Sequence, residues 1–131
     1  MLSRENWFYR FCALRIARNL AGHETGAATY RNLVRQYAQE FGDQTLGEKS
    51  DEVVFGPMVL LWKESCLELK KLSLRTLEVQ DFSAFGDDWD GLWKFLSGNG
   101  FRMKLKPKGQ EMLNEMEAGI LASRPVERIG F

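Results

Sequence analysis

The sequence predicts a single, mainly α-helical domain with a small β-hairpin or sheet, its elements following the order α-α-α-β-α-β-α. Three observations lead there. Tyr30, Leu33, Val34, Tyr37, Ala38 and Phe41 recur at i, i+3, i+4, i+7, i+8 and i+11, the period of a helix with one buried face. Phe101, Met103 and Leu105 alternate with Arg102, Lys104 and Lys106, the period of a strand buried on one side. Just ahead of that strand, Ser97-Gly98-Asn99-Gly100 is a strong turn signal.

The first helix is expected from about Arg4 to Ala21, with Ser3 as its cap and Gly22 past its end. Phe8, Cys12, Ala13, Ile16, Ala17 and Leu20 gather on one side of it. Trp7, Phe11 and Leu14 gather on the other, among Arg10, Arg15 and Arg18. A helix apolar on two sides needs two things to pack against: the core, and a second chain, the C-terminal tail or a ligand. The second helix takes Thr25 or Thr29 as its cap and Gly42 as its end, with Arg31 and Arg35 one turn apart on its polar face. Residues 43–50 read as a polar loop.

A third helix begins near Gly56-Pro57, with Met58, Leu61, Trp62, Leu69 and Leu72 as its buried stripe. A start at Asp51 would leave the proline inside as a kink. After Leu74 the period shortens to two, since Leu77 and Val79 alternate with Glu78 and Gln80, which predicts a short strand. Asp87 or Asp88 caps a short helix carrying Leu92, Trp93 and Leu96. Beyond the second strand Pro107 interrupts, and a last helix runs from about Lys108 to Ala122, apolar at Met112, Leu113, Met116 and Ile120. The chain shows no repeat, linker or low-complexity tract, so residues 1–125 form one domain and 126–131 a tail, loose or docked.

A chain of 131 residues buries roughly two-thirds of its unfolded surface, enough for a core without disulfide or metal. Its 18 basic and 18 acidic side chains cancel, so no overall field draws it to a polyanion. The balance hides a segregation. Residues 1–42 carry six arginines against Glu5, Glu24 and Glu40, a net of +3; residues 43–93 carry eleven acidic and five basic side chains, a net of −6; residues 94–131 return to +3 with seven against four. A polyanion would have to meet the two ends of the chain. Cys12 and Cys66 each sit in an apolar stretch, as small hydrophobes. A small secreted domain would carry a denser cysteine set. No signal-peptide core opens the sequence, and the longest apolar run, 58–62, is far too short to span a bilayer. A cytoplasmic protein without a membrane partner is expected.

The segment Gly100-Phe101-Arg102-Met103-Lys104-Leu105-Lys106-Pro107-Lys108-Gly109-Gln110-Glu111-Met112-Leu113, in this order of elements, resembles the wing-to-helix passage of winged helix-turn-helix domains. The match is close over about 15 residues and holds in order only over about 80. The resemblance implies a winged-helix fold and a regulatory role on duplex DNA. A wing strand buries one face and offers the other to phosphates as spaced cations; the same lysines also suit a solvated edge strand. Two features depart from the pattern. Glu48, Asp51 and Glu52 precede the third helix, where a reading helix presents basic and polar residues, and Asp81, Asp87, Asp88 and Asp90 crowd the region before the wing.

The search for chemistry yields no catalytic residue, no metal site and no cofactor, so the chain is not expected to be an enzyme. His23, the one histidine, sits at a helix end, where it suits the terminal carbonyls better than a pairing with Cys12 or Cys66. Asp87-Asp88-Trp89-Asp90-Gly91 resembles a fragment of a calcium loop, but the twelfth position counted from Asp88 is Asn99. Glu64 and Glu68 would share one helix face with lysines around them, a solvated surface.

The expected role is a small regulatory DNA-binding domain. Arg31 and Arg35 would touch backbone phosphate, and Arg102, Lys104 and Lys106 would make the wing contact. The alternative is a protein-binding module or small inhibitor that acts by occlusion, through the stripe on the first helix or the acidic 81–90 segment. In either case Trp7, Phe11, Leu14 and Arg18 are the expected partner or homodimer surface.

Overall fold

Helix α1, Arg4–Leu20, is surrounded: Phe8, Tyr9, Phe11, Cys12, Ala13, Leu14, Ile16 and Ala17 are all buried. The computed structural model describes residues 4–72, 79–81 and 100–123. Within these, four α-helices and one small antiparallel sheet make a mainly helical molecule. No helix among the described residues is long and apolar enough to cross a membrane. Helix α1 touches α2 (Ala27–Phe41), α3 (Asp51–Lys63), strand β4 (Phe101–Leu105) and helix α4 (Pro107–Ser123). Its second apolar side, expected to await another chain, the tail or a ligand, is thus covered largely by the chain's own helices.

At the end of α1, Ala21 and Gly22 take positive φ, and the Gly22 N–H donates to the Met103 carbonyl at 2.9 Å. That bond hands the chain to a strand too short to show in any pattern, β1 (Glu24–Thr25). Thr25 therefore lies in the sheet and does not cap α2. The cap is Gly26, with no side-chain bond. Helix α2 buries Tyr30, Val34 and Ala38, as its period predicts, with Leu33 and Tyr37 packed beside them and Phe41 emerging at its end. Gly42, at φ 88°, closes it, and the N–H groups of Gly42 and Asp43 reach back to the Gln39 and Ala38 carbonyls.

The expected polar loop at 43–50 contains a 3-10 turn, Gln44–Glu48, opened by the Asp43 side chain accepting from the Thr45 N–H. Its Leu46 is fully buried, and the Tyr9 hydroxyl donates to the Leu46 carbonyl at 2.6 Å. Helix α3 begins at Asp51, the earlier of the two starts, with Pro57 inside it; Gly56 ahead of the proline has no Cβ to clash with the ring. The expected extension of α3 through Leu69 and Leu72 is corrected, for the helix stops at Lys63. Ser65 adopts φ 63°, its N–H donates to the Trp62 carbonyl and that of Cys66 to the Leu61 carbonyl, closing the helix without a glycine.

The chain leaves this cap as β2 (Leu67–Leu72), which pairs with β3 (Val79–Asp81) and with β4. All pairings are antiparallel and the strand order is β1-β4-β2-β3. Leu67, Leu69, Phe101 and Met103 are buried, while Arg102 and Lys104 are exposed. The alternation that predicted β4 therefore holds residue by residue. Lys106 donates its N–H to the Cys66 carbonyl at 3.1 Å, and Pro107 opens α4. A Cβ at Gly109 would collide with that same Cys66 carbonyl, so α4 seats backbone against backbone on the α3–β2 joint. The expected cap at Ser3, the strand residues Leu77 and Glu78, the short helix at Asp87 or Asp88, the turn at 97–99 and the 126–131 tail lie outside the described residues.

Candidate functional site

The five cations expected to meet phosphate fall into two sets attached to different elements. Arg31 on α2 is turned inward onto the 3-10 turn and the start of α3. Its guanidinium donates to the Gly47 and Lys49 carbonyls at 3.0 and 2.9 Å and to Asp51 at 2.6 Å, and it lies over the Phe55 ring. Arg35 donates to Glu48 at 2.8 Å and to Asn32 at 2.9 Å, and a Cβ on Gly47 would press on its stem. Arg102, Lys104 and Lys106 are exposed and have no ion-pair partner among the described residues. Across the sheet, Arg102 stands in register with Glu24 and Lys70, and Lys104 with Glu68. Lys70 is paired with Glu68 at 3.0 Å. A shallow 180 Å³ depression there has Arg102, Lys104, Lys70 and Glu68 around it.

The stripe on α1 is mostly consumed by the fold. Leu14 is fully buried and Phe11 is 7% exposed. Arg18 makes two hydrogen bonds to Glu117 of α4, at 2.8 and 3.3 Å. Arg15 lies over the Phe11 and Tyr37 rings. Of the four residues expected as a partner surface, Trp7 lines an open groove among the described residues. It stacks on Phe11 at 5.2 Å and on Phe41 at 6.4 Å.

That feature is a groove of 670 Å³ between α1 and α4, within the range of natural binding sites. Trp7, Phe41, Met112, Met116 and Ile120 give it apolar walls. Arg4 and Arg10 stand on the α1 side and Glu115 on the α4 side. Arg4 stacks over the Phe41 ring at 4.9 Å and pairs loosely with Asp43; Arg10 pairs with Glu64. Glu115 has no described partner. Gly119 opens the wall, for a Cβ placed on it would meet nothing within 4 Å. Half of this groove was visible in the sequence, because Met112, Met116 and Ile120 recur at i, i+4 and i+8. The Trp7–Phe41 half depends on how α1 meets α2, which no local pattern encodes.

The exposed side of α3 carries Glu52, Val53 and Leu60, the last 45% exposed, with one cation, Lys63, in its last turn, whereas a reading helix holds basic and polar groups near its start. Glu64 and Glu68 do not share a helix face: Glu64 caps α3 beside Arg10 and Glu68 lies on β2. Burial pushes the Cys12 and Cys66 thiols up, away from the thiolate form a nucleophile needs. His23 is exposed just past α1, while Cys12 is inside the core. Among the described residues no three His, Cys, Asp or Glu side chains group as metal ligands.

No protein-family model, curated protein or solved structure matches the chain, so its residues and their geometry carry the functional reading.

Proposed function

We propose that this chain is a winged-helix-type domain used as a protein-binding module, with the α1–α4 groove as its contact surface. The observation that carries the reading is the groove itself. An aromatic pair and two methionines line it, the residue types that dominate protein contacts and adapt to a partner's shape. The winged-helix part is supported by the sequence of elements, in which β1 follows the first helix and lies beside the last strand, itself beside the strand that follows the third helix. Protein binding is favoured over duplex reading by α3, whose exposed side is acidic and apolar up to Lys63 in its last turn, and by Arg31, whose donors are already engaged.

A photo-crosslinking residue replacing Met112, on the groove wall away from Gly119, compared with one replacing Lys104, tests this. A protein adduct at 112 and none at 104 is the expected result; adducts at 104 alone, or at neither, overturn the reading. One observation favours a second reading: among the described residues Arg102 and Lys104 on β4 and Lys106 just past it have no ion-pair partner, which suits a phosphate-contacting wing.

A further inference from the structure

We infer that the groove is filled by a second copy of this chain, in a two-fold dimer where the Trp7–Phe41 ridge of each copy seats over Gly119 of the other. The inference rests on reading the groove as a protein-binding surface, and it names the occupant.

The groove carries both halves of a complementary pair. One wall projects: Phe41 is 38% exposed and stacks with Trp7, so the two rings form a ridge at the junction of α1 and α2. The opposite wall is notched at Gly119, with open space where a side chain would stand. Charge divides the same way, with the exposed Arg4 beside the ridge and Glu115 beside the notch. A two-fold axis across the groove brings ridge to notch and guanidinium to carboxylate twice over, as an isologous interface requires. A foreign partner would need to bring both complements itself; a second copy already has them.

Gly119 supplies an independent reason. A glycine inside a helix is less favourable than alanine, and no packing among the described residues demands it here. Close approach from outside the fold accounts for a glycine where the fold itself would accept a larger residue. The zero net charge leaves no overall repulsion between copies. The lining is short, so the dimer belongs at the weak end of specific interfaces.

Sedimentation equilibrium of the full chain, from about 5 to about 300 µM, spans that weak range. The expected result is a mass rising from monomer toward twice the monomer. Gly119→Arg fills the notch in open space without touching the fold, and should weaken association by about tenfold or more. Arg4→Glu and Glu115→Arg, each of which places like charges together, should each weaken it about fivefold, and the double variant should return to within about twofold of wild type. Thermal melts confirm that each variant is folded.

A wild type that stays monomeric throughout overturns the inference, as does a dimer indifferent to Gly119→Arg or a double variant no better than its singles. The crosslinker at 112 separates this failure from that of the groove reading. A monomeric chain with a 112 adduct to a different protein sinks the second copy and leaves the groove. A monomeric chain with no adduct sinks both.

Discussion

Arg31 and Arg102 look equivalent in the sequence, each a cation on the polar face of an amphipathic element, and the fold treats them oppositely. Arg31 sits between α2 and the 3-10 turn, its side chain 16% exposed, and serves three acceptors and an aromatic ring. Arg102 stands on the outer face of a strand, exposed and unpaired among the described residues. The difference comes from neighbours far along the chain. The carbonyls at Gly47 and Lys49 and the carboxylate of Asp51 need a donor where the turn meets α3, and a planar guanidinium with several donors satisfies all three. Arg102 has the Glu24 carboxylate across the sheet but makes no ion pair among the described residues. A basic residue becomes a binding residue only when the fold has no use for it.

The sharpest break between the two is stability. Arg31→Ala should cost about 2–3 kcal/mol in urea unfolding, since it leaves two carbonyls and a carboxylate without their donor. Arg31→Lys should recover less than half of that, because one ammonium cannot reach three acceptors in a fixed fork. A loss below about 0.5 kcal/mol for Arg31→Ala would remove the distinction between structural and free cations.

Arg10 and Lys108 are also tied, to the turn that ends α3. Arg10 pairs with Glu64, and the Lys108 ammonium donates to the Glu64 carbonyl at 2.9 Å. They flank Ser65, which holds a left-handed backbone conformation that glycine adopts freely. Ser65→Gly should stabilise the protein by about 0.5–1 kcal/mol, measured by denaturant midpoint at unchanged slope. No gain would mean that the Arg10 and Lys108 contacts already hold the turn without backbone cost.

The same turn shows where sequence reasoning reached its limit. The α2 stripe and the β4 alternation were legible because each element has one buried face and the side-chain period reports it directly. The third helix was overextended to Leu72 because Leu61, Trp62, Leu69 and Leu72 keep a helical spacing across the break. Leu67 and Leu69, alternating with Glu68 and Lys70, also fit a strand, and the stop signal was missing because the left-handed residue is a serine. Strand β1 is two residues long and leaves no periodic trace. For the site, the identity of Trp7 and the methionine row on α4 could be read. Whether Phe11 and Leu14 would be covered depended on α2 and α4 packing around α1, a tertiary fact.

Acid separates a third tied cation from the free ones. The Arg18 hydrogen bonds, and then the charges of Arg18 and Arg15, hold the Glu117 carboxyl below its ordinary 4.5. A depressed carboxylate contributes its stability above the unfolded value and loses it as pH falls through the lower folded value. The pair is partly exposed, so screening keeps it to about 0.5–1 kcal/mol. Glu117→Gln should lower stability by that amount at pH 7 and make the decline below about pH 4.5 shallower. An unchanged acid limb would show that Arg18 gains nothing from the carboxylate, and would move it toward the free set.

The smallest effect on stability is expected where function is most at stake. Replacing Arg102, Lys104 and Lys106 together by alanine removes three exposed cations with no described partner, so the unfolding free energy should stay within about 0.5 kcal/mol of wild type. Their register neighbours Glu24 and Glu68 dilute the positive field on the outer face of the sheet. Wild-type binding to a short DNA duplex should therefore be weak even near 50 mM salt, and the triple variant should differ little from it. Fluorescence anisotropy across a salt series decides this. If wild type binds with log K falling steeply against log salt, and the triple variant flattens the slope by two or three, then β4 is a phosphate-contacting wing after all. The free cations would then be the binding surface, and the α1–α4 groove would lose its place as the primary one.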